Sequence, residues 1–153
     1  MDSQDHKKKY QPVCVCTNLR RATRAISNMY DAALASSGLK ITQFSLLRAV
    51  ERNEPVAITA LAEEMALDRT TLARNLAPLE RDRLVALAPG SDQRVTEVRL
   101  TRAGREAIAA AVPLWKKAQA DVSRLVSEGR VEQLREIARE VSIAAEGFAA
   151  KRR

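Results

Sequence analysis

The stretch "DRTTLARNLAPLERDRL", residues 68–84, decides how the chain is read. Leu72, Leu76 and Leu79 recur at the spacing of one helical face. Asp68, just ahead of the first turn, can accept from its free backbone N–H groups and start the helix there. The remaining arcs carry Arg69, Thr70, Thr71, Arg74 and Asn75. Such a helix has one face for a core and another for an acceptor-rich, anionic partner. In a DNA major groove, arginine can make a paired contact to guanine, asparagine to adenine, and a threonine methyl can touch thymine.

Its neighbours support that partner. Upstream, "ITALAEEMA" predicts a short helix capped by Thr59, so two short helices meet at a tight turn as in a helix-turn-helix. Before it, "QFSLLRAVERN" predicts a helix capped by Thr42 that stops ahead of Pro55. Downstream, "VALAPGSDQRVTEVRL" changes to β-rich alternation around Pro89, Gly90, Ser91 and Asp92, the pattern of a two-stranded hairpin. At its tip Asp92 can orient Arg94 by a charge-assisted pair, and an arginine on a narrow hairpin suits a minor groove.

Longer helices flank this unit. Val15, Leu19, Ala22, Ile26, Met29, Ala33 and Leu34 form an apolar stripe running from Pro12 to Gly38. Thr101 caps "RAGREAIAAAVPLWKKAQADVSRLV", in which Pro113 predicts a kink, and a last helix is expected over about 130–149. The expected fold is mainly α with a small β-hairpin wing. Residues 1–11 would be a mobile tail and 12–153 one domain, with a winged helix-turn-helix at 42–100 and dimerisation helices at 12–37 and 101–150. The outer helices are too apolar on one face to stand alone, and a second copy is the economical cover.

Composition agrees and sets exclusions. The chain has 153 residues, 46% hydrophobic and 29% charged, which suits a globular protein with a real core. Its formal charge is +7, with a surplus of four arginines over acids between residues 69 and 105, where the quoted helix and hairpin lie. Clustering of that kind marks a nucleic-acid footprint. No run is long and apolar enough for a membrane span, and no secretory signal is visible, so a cytoplasmic protein is expected. Neither a cofactor nor a metal is expected, because the single histidine, His6, has no ligand cluster around it. The same lack of a companion histidine argues against a thiol enzyme.

The blocks "GLKITQFSLLRAV", "ITALAEEMALDRTTLARNLAPLERDRLV", "GSDQRVTEVRLTRAGREAI" and "PLWKKAQ", in that order, resemble the MarR family of bacterial winged-helix regulators. The resemblance runs from about residue 13 to about 145, nearly the whole chain. It implies a homodimer that binds double-stranded DNA at near-palindromic operators, usually as a repressor, with release by a small molecule held between the dimerisation and DNA-binding regions. It places Arg69, Thr70, Thr71, Arg74 and Asn75 on the recognition helix and Asp92 and Arg94 on the wing. One departure is Arg83, where relatives often have glycine before the first wing strand.

Two sensing modes stay open. For an aromatic carboxylate or phenolic effector, the resemblance points to Arg20 or Arg21 as the partner of the acid group. Phe44 and Leu47 would wall the cleft, and Tyr30 would line it or pack at the dimer seam. The alternative is a redox or metal-responsive switch through Cys14 and Cys16, which a first helical turn would favour as thiolates. Against it, helical positions two apart point to opposite sides, and a buried, small apolar role would explain both cysteines. Met29, Met65 and Trp115 are expected in the core or at the dimer interface.

Overall fold

The computed structural model describes residues 14–150. The polar tail and the Pro12 start expected from the sequence lie outside them. Helix α1 (Val15–Leu34) runs into a short 3-10 turn (Ala35–Ser37), and Gly38 ends it with a φ of 75° that a glycine adopts without steric cost. Helix α2 (Ile41–Asn53) starts two residues before the expected Thr42 cap would allow. Lys40 holds the cap position instead, its N–H donating to Gln43 Oε1 at 2.9 Å. The next free N–H, on Ile41, donates at 2.7 Å to Asp31 Oδ1 of α1, so a neighbouring helix supplies the cap.

Strand β1 (Val56–Ala57) leads directly into helix α3 (Ile58–Glu64). Thr59 is therefore inside the first turn, and Ala57 occupies the cap position with no side-chain bond. Pairing of β1 holds that end in place of a capping oxygen. After a turn through Ala66, at φ 51°, helix α4 (Arg69–Arg81) follows, then strands β2 (Val85–Pro89) and β3 (Thr96–Leu100). The sheet has three antiparallel strands in the order β1-β3-β2, with Val56 opposite Val98 and Val85 opposite Leu100. The hairpin was legible from alternation; its third strand, two residues long, was not.

Thr101 caps helix α5 (Arg102–Val126) as expected, its Oγ1 accepting from Gly104 N at 3.0 Å. Gly104 permits the close approach of this helix to the wing base, since a Cβ there would fall 2.0 Å from the Leu84 carbonyl oxygen. The helix continues past Pro113, and Ser127, at φ 71°, separates it from helix α6 (Glu128–Ala150).

Two clusters make the core. The larger joins α2, α3, α4, the sheet and the start of α5 through Leu47, Leu61, Leu72, Leu76, Leu79 and Val98, all essentially without solvent contact. The smaller is only Tyr30, Ala118, Val122 and Val131, between α1, α5 and α6. No helix among the described residues is long and apolar enough to cross a membrane.

Candidate nucleic-acid interface and adjoining cavity

Helix α4 is set by its cap. Asp68 Oδ1 accepts from Thr71 N at 2.9 Å, and Oδ2 accepts from Thr71 Oγ1 at 2.6 Å. These bonds hold the Asp68 carboxyl below its ordinary range, the Thr71 hydroxyl contributing most. Leu72, Leu76 and Leu79 point inward, and Arg69, Thr70, Arg74 and Asn75 are exposed on the other arcs. Thr71 is placed differently: half-buried, with its hydroxyl engaged by the cap.

The wing tip is also held by an aspartate. Asp92 Oδ1 accepts from the Arg94 backbone N–H at 3.0 Å and from Nε at 3.2 Å, while Oδ2 accepts from Nη2 at 3.3 Å. The Arg94 backbone N–H, then its side chain, hold the Asp92 carboxyl below the usual range. Arg94 itself is 90% exposed, so its direction is fixed while its charge stays available. A concavity of about 340 Å³ brings Arg94 and Thr96 of the wing opposite Arg69 and Ala73 of α4, with Thr59 at its edge. On the other flank of α4, a hollow of about 240 Å³ joins Arg74 and Asn75 to Lys40, Thr42 and Gln43 at the start of α2. Those three residues are distant from α4 in sequence, and only the tertiary fold brings them beside it.

A third cavity, of about 510 Å³, lies between α2, α5 and the end of α3. Its apolar floor is Phe44, Met65, Val112 and Trp115, the two aromatic rings tilted at 37° with centroids 6.0 Å apart. Arg48, Arg52 and Lys116 supply positive charge at its rim. Met65 and Trp115 are thus cavity residues as well as packing ones, and the two α2 arginines were missed. The recoverable signal was the four-residue spacing of Phe44, Arg48 and Arg52, which puts them along one side of the helix.

Of the residues expected to hold an effector, only Phe44 lines this cavity. Leu47 is fully buried in the main core and does not line the cavity. Tyr30 packs in the small α1/α5/α6 cluster, where its hydroxyl donates to Gln119 Oε1 and burial raises its pKa. Arg20 and Arg21 lie on the exposed first half of α1, away from the lining of this protomer's cavity. Cys14 and Cys16 are both exposed, so a buried apolar role does not hold within the protomer. Cys14 precedes the helix in extended backbone, at φ −93° and ψ 118°, so the opposed geometry of two helical positions does not apply to the pair. The Thr17 backbone N–H and hydroxyl, with the Cys16 N–H, lower the Cys14 thiol pKa. No cluster of metal-ligating side chains occurs among the described residues.

Comparison with known proteins decides the family. Residues 37–94 match the MarR family model. The transcriptional regulator MosR of M. tuberculosis, solved in complex with DNA, is 41% identical, covers 88% of this chain and 97% of its own, and superposes with a TM-score of 0.79. The chain belongs to the MarR family. It is a DNA-binding transcriptional regulator with a winged helix-turn-helix fold, and not an enzyme. MosR solved without DNA is 40% identical over the same shares of both chains, with a TM-score of 0.74. The repressor CouR, bound to a 23-mer DNA duplex, shares the fold at 22% identity and a TM-score of 0.77, covering 84% of this chain and 92% of its own. CouR from Rhodococcus jostii RHA1 has also been solved with p-coumaroyl-CoA, at 21% identity and a TM-score of 0.70, covering 84% of this chain and 91% of its own. No curated protein sequence matches the chain. At the one position where the MarR resemblance was broken, Arg83 takes a left-handed φ of 58°, the conformation that a glycine would adopt freely.

Proposed function

We propose that two copies of this chain clamp a near-palindromic operator as a repressor and release it when a small anionic effector binds. The observation that carries this reading is the placement of Arg69 and Arg94 across one concavity, with Arg74 and Asn75 exposed further along α4. The helix would enter a major groove, and Arg94, oriented by Asp92, the adjacent minor groove. Lys40 and its neighbours, beside Arg74, would meet the phosphate backbone.

Dimerisation is supported by apolar surface on the outer helices. Leu134, Ile137, Val141 and Phe148 are 40–61% exposed at helical spacing on α6, and Val15 and Leu125 are 68% and 71% exposed on α1 and α5. Residues 12–37 and 101–150 would form the dimer layer, leaving 42–100 to read DNA. Effector release is supported by the aromatic, cation-rimmed cavity at the junction of those regions, and by the p-coumaroyl-CoA held by CouR.

Fluorescence anisotropy on the promoter beside its own gene tests the reading. Arg94→Ala is expected to weaken binding to most sequences, while Arg74→Ala or Asn75→Ala also relaxes base preference. Unchanged binding in all three variants contradicts it.

A second reading rests on the exposed, acidified Cys14: oxidation of that thiolate would replace ligand binding as the release signal. A Cys14→Ser, Cys16→Ser double variant whose DNA binding still responds to peroxide removes it.

A further inference from the structure

A single carboxylate joins three elements at the base of the wing. Glu54 follows the last residue of α2, and Pro55 separates it from β1. Its Oε2 accepts from the Leu100 N–H, at the end of β3, at 2.7 Å, and its Oε1 accepts from Arg105 Nη1 in the first turn of α5. The Glu54 side chain is 18% exposed, so water competes little for these bonds. Burial by itself would raise the Glu54 carboxyl, yet the bonds from Arg105 and Leu100 outweigh it and hold the group below its ordinary range. Glu54 is therefore charged at neutral pH.

Sheet register explains why a carboxylate stands there. Strand β1 offers two residues, Val56 opposite Val98 and Ala57 opposite Glu97. Continued back past Pro55, which has no N–H to donate, the same register brings Glu54 opposite Leu100. The side chain thus adds one bond to a ladder of two residues. On the other edge of β3, Leu100 pairs with Val85, and just beyond it Thr101 N donates to the Leu84 carbonyl at 3.1 Å. Both edges of the wing base are gripped, one by β2 and the other by Glu54.

Direction at the base matters at the tip. Arg94 lies six residues from Leu100, a lever of about 20 Å at roughly 3.3 Å per residue. A tilt of about 5° at the base moves the tip by roughly 2 Å, whereas hydrogen-bond distances tolerate about 0.5 Å. Asp92 orients the Arg94 side chain on the hairpin but cannot orient the hairpin itself.

We propose that Glu54 is a positioning residue for DNA binding, fixing through Leu100 and Arg105 the angle at which the wing carries Arg94 beside α4. The proposal rests on the minor-groove reading of Arg94 above. Glu54 acts through Arg94 and needs no contact with DNA of its own.

A double-mutant cycle separates positioning from a merely structural role. By anisotropy on promoter DNA, Glu54→Ala is expected to weaken binding about three- to tenfold in the wild-type background and less than about twofold where Arg94 is already alanine. Combined with Arg74→Ala its effect should add in full, since Arg74 lies on α4 and not on the wing. Glu54→Gln keeps an acceptor for Leu100 and loses the charge facing Arg105. It should give the same pattern at smaller size, and it carries the cycle if thermal melting shows the alanine variant unfolded. Without DNA, hydrogen exchange at the Leu100 amide, read by NMR, is expected to quicken at least about tenfold in Glu54→Ala while the amides of residues 72–79 are unchanged. Equal losses with and without Arg94, no loss in either variant, or unaltered exchange at Leu100 overturns the proposal and leaves the minor-groove reading standing. Failure of Arg94→Ala itself to weaken binding sinks that reading and the proposal with it.

Discussion

The two cores of this chain differ in completeness. Around α4, Leu47, Leu61, Leu72, Leu76 and Leu79 are shielded by α2, α3, the sheet and the start of α5 of the same chain. Between α1, α5 and α6 only four buried residues gather, while Ile137, Val141, Ile143 and Phe148 of α6 remain 42–64% exposed. The core around α4 is closed within one chain, with Leu34 of α1 and Ile108 and Ala111 of α5 completing it; the outer layer is one side of a core whose other side a second copy can supply. Burial within a single chain therefore separates what folds the reader from what sets the distance between two readers.

The contrast is broken most severely from inside the reader. Leu76→Ala removes a fully shielded side chain and is expected to cost about 2–5 kcal/mol in chemical denaturation, with DNA binding lost on the way. Ile137→Glu attacks the other layer. It should leave protomer stability within about 0.5 kcal/mol, since the side chain is exposed within the chain, yet disrupt the dimer in sedimentation equilibrium. If Ile137→Glu instead unfolds the chain, the outer layer is part of the protomer's own core.

Two changes at the reading surface sharpen the comparison. Arg94→Ala should weaken DNA binding by about 1–3 kcal/mol and reduce the salt slope by roughly one, while leaving the melting temperature unchanged. Asp68→Ala should lower the melting temperature near neutral pH by removing the α4 cap. The folded Asp68 pKa lies below its ordinary 3.8, so the ionised group stabilises the fold above that value, and this contribution fades as pH falls through the lower folded value. Wild type and variant should therefore converge in strong acid. The smallest effect is expected at Arg83. Arg83→Gly relieves a left-handed backbone but adds freedom to the unfolded chain, so the net change should lie within about 1 kcal/mol, whereas Arg83→Val should destabilise.

What was legible in the sequence was local. The Asp68 and Thr101 caps, the inward leucines of α4 and the Asp92–Arg94 pair each depend on residues within one or two turns of each other. What escaped depended on distance along the chain. Asp31 caps α2 from ten residues away, and β1 is recognisable only by its pairing with Val98 and Glu97. The cavity joins Phe44, Arg48 and Arg52 to Trp115 and Lys116 across some sixty residues, and no periodicity within either helix announces the other. Leu47 shows the opposite error: between Ser45 and Arg48, which line the cavity, it is fully buried in the core, a difference of helix phase that sequence spacing alone does not resolve. Cys14 was misplaced because the helix starts at Val15, which leaves that thiol ahead of the first turn.

The central claim is that two copies present paired α4 and wing surfaces at a fixed separation. Sedimentation of the chain with an operator selected from random duplexes, and with the same operator lengthened by about 5 base pairs between its half-sites, tests it most directly. The account predicts two chains on the original duplex and loss of that complex when the half-sites are rotated by half a turn. One chain per duplex, or equal binding at both spacings, would contradict it.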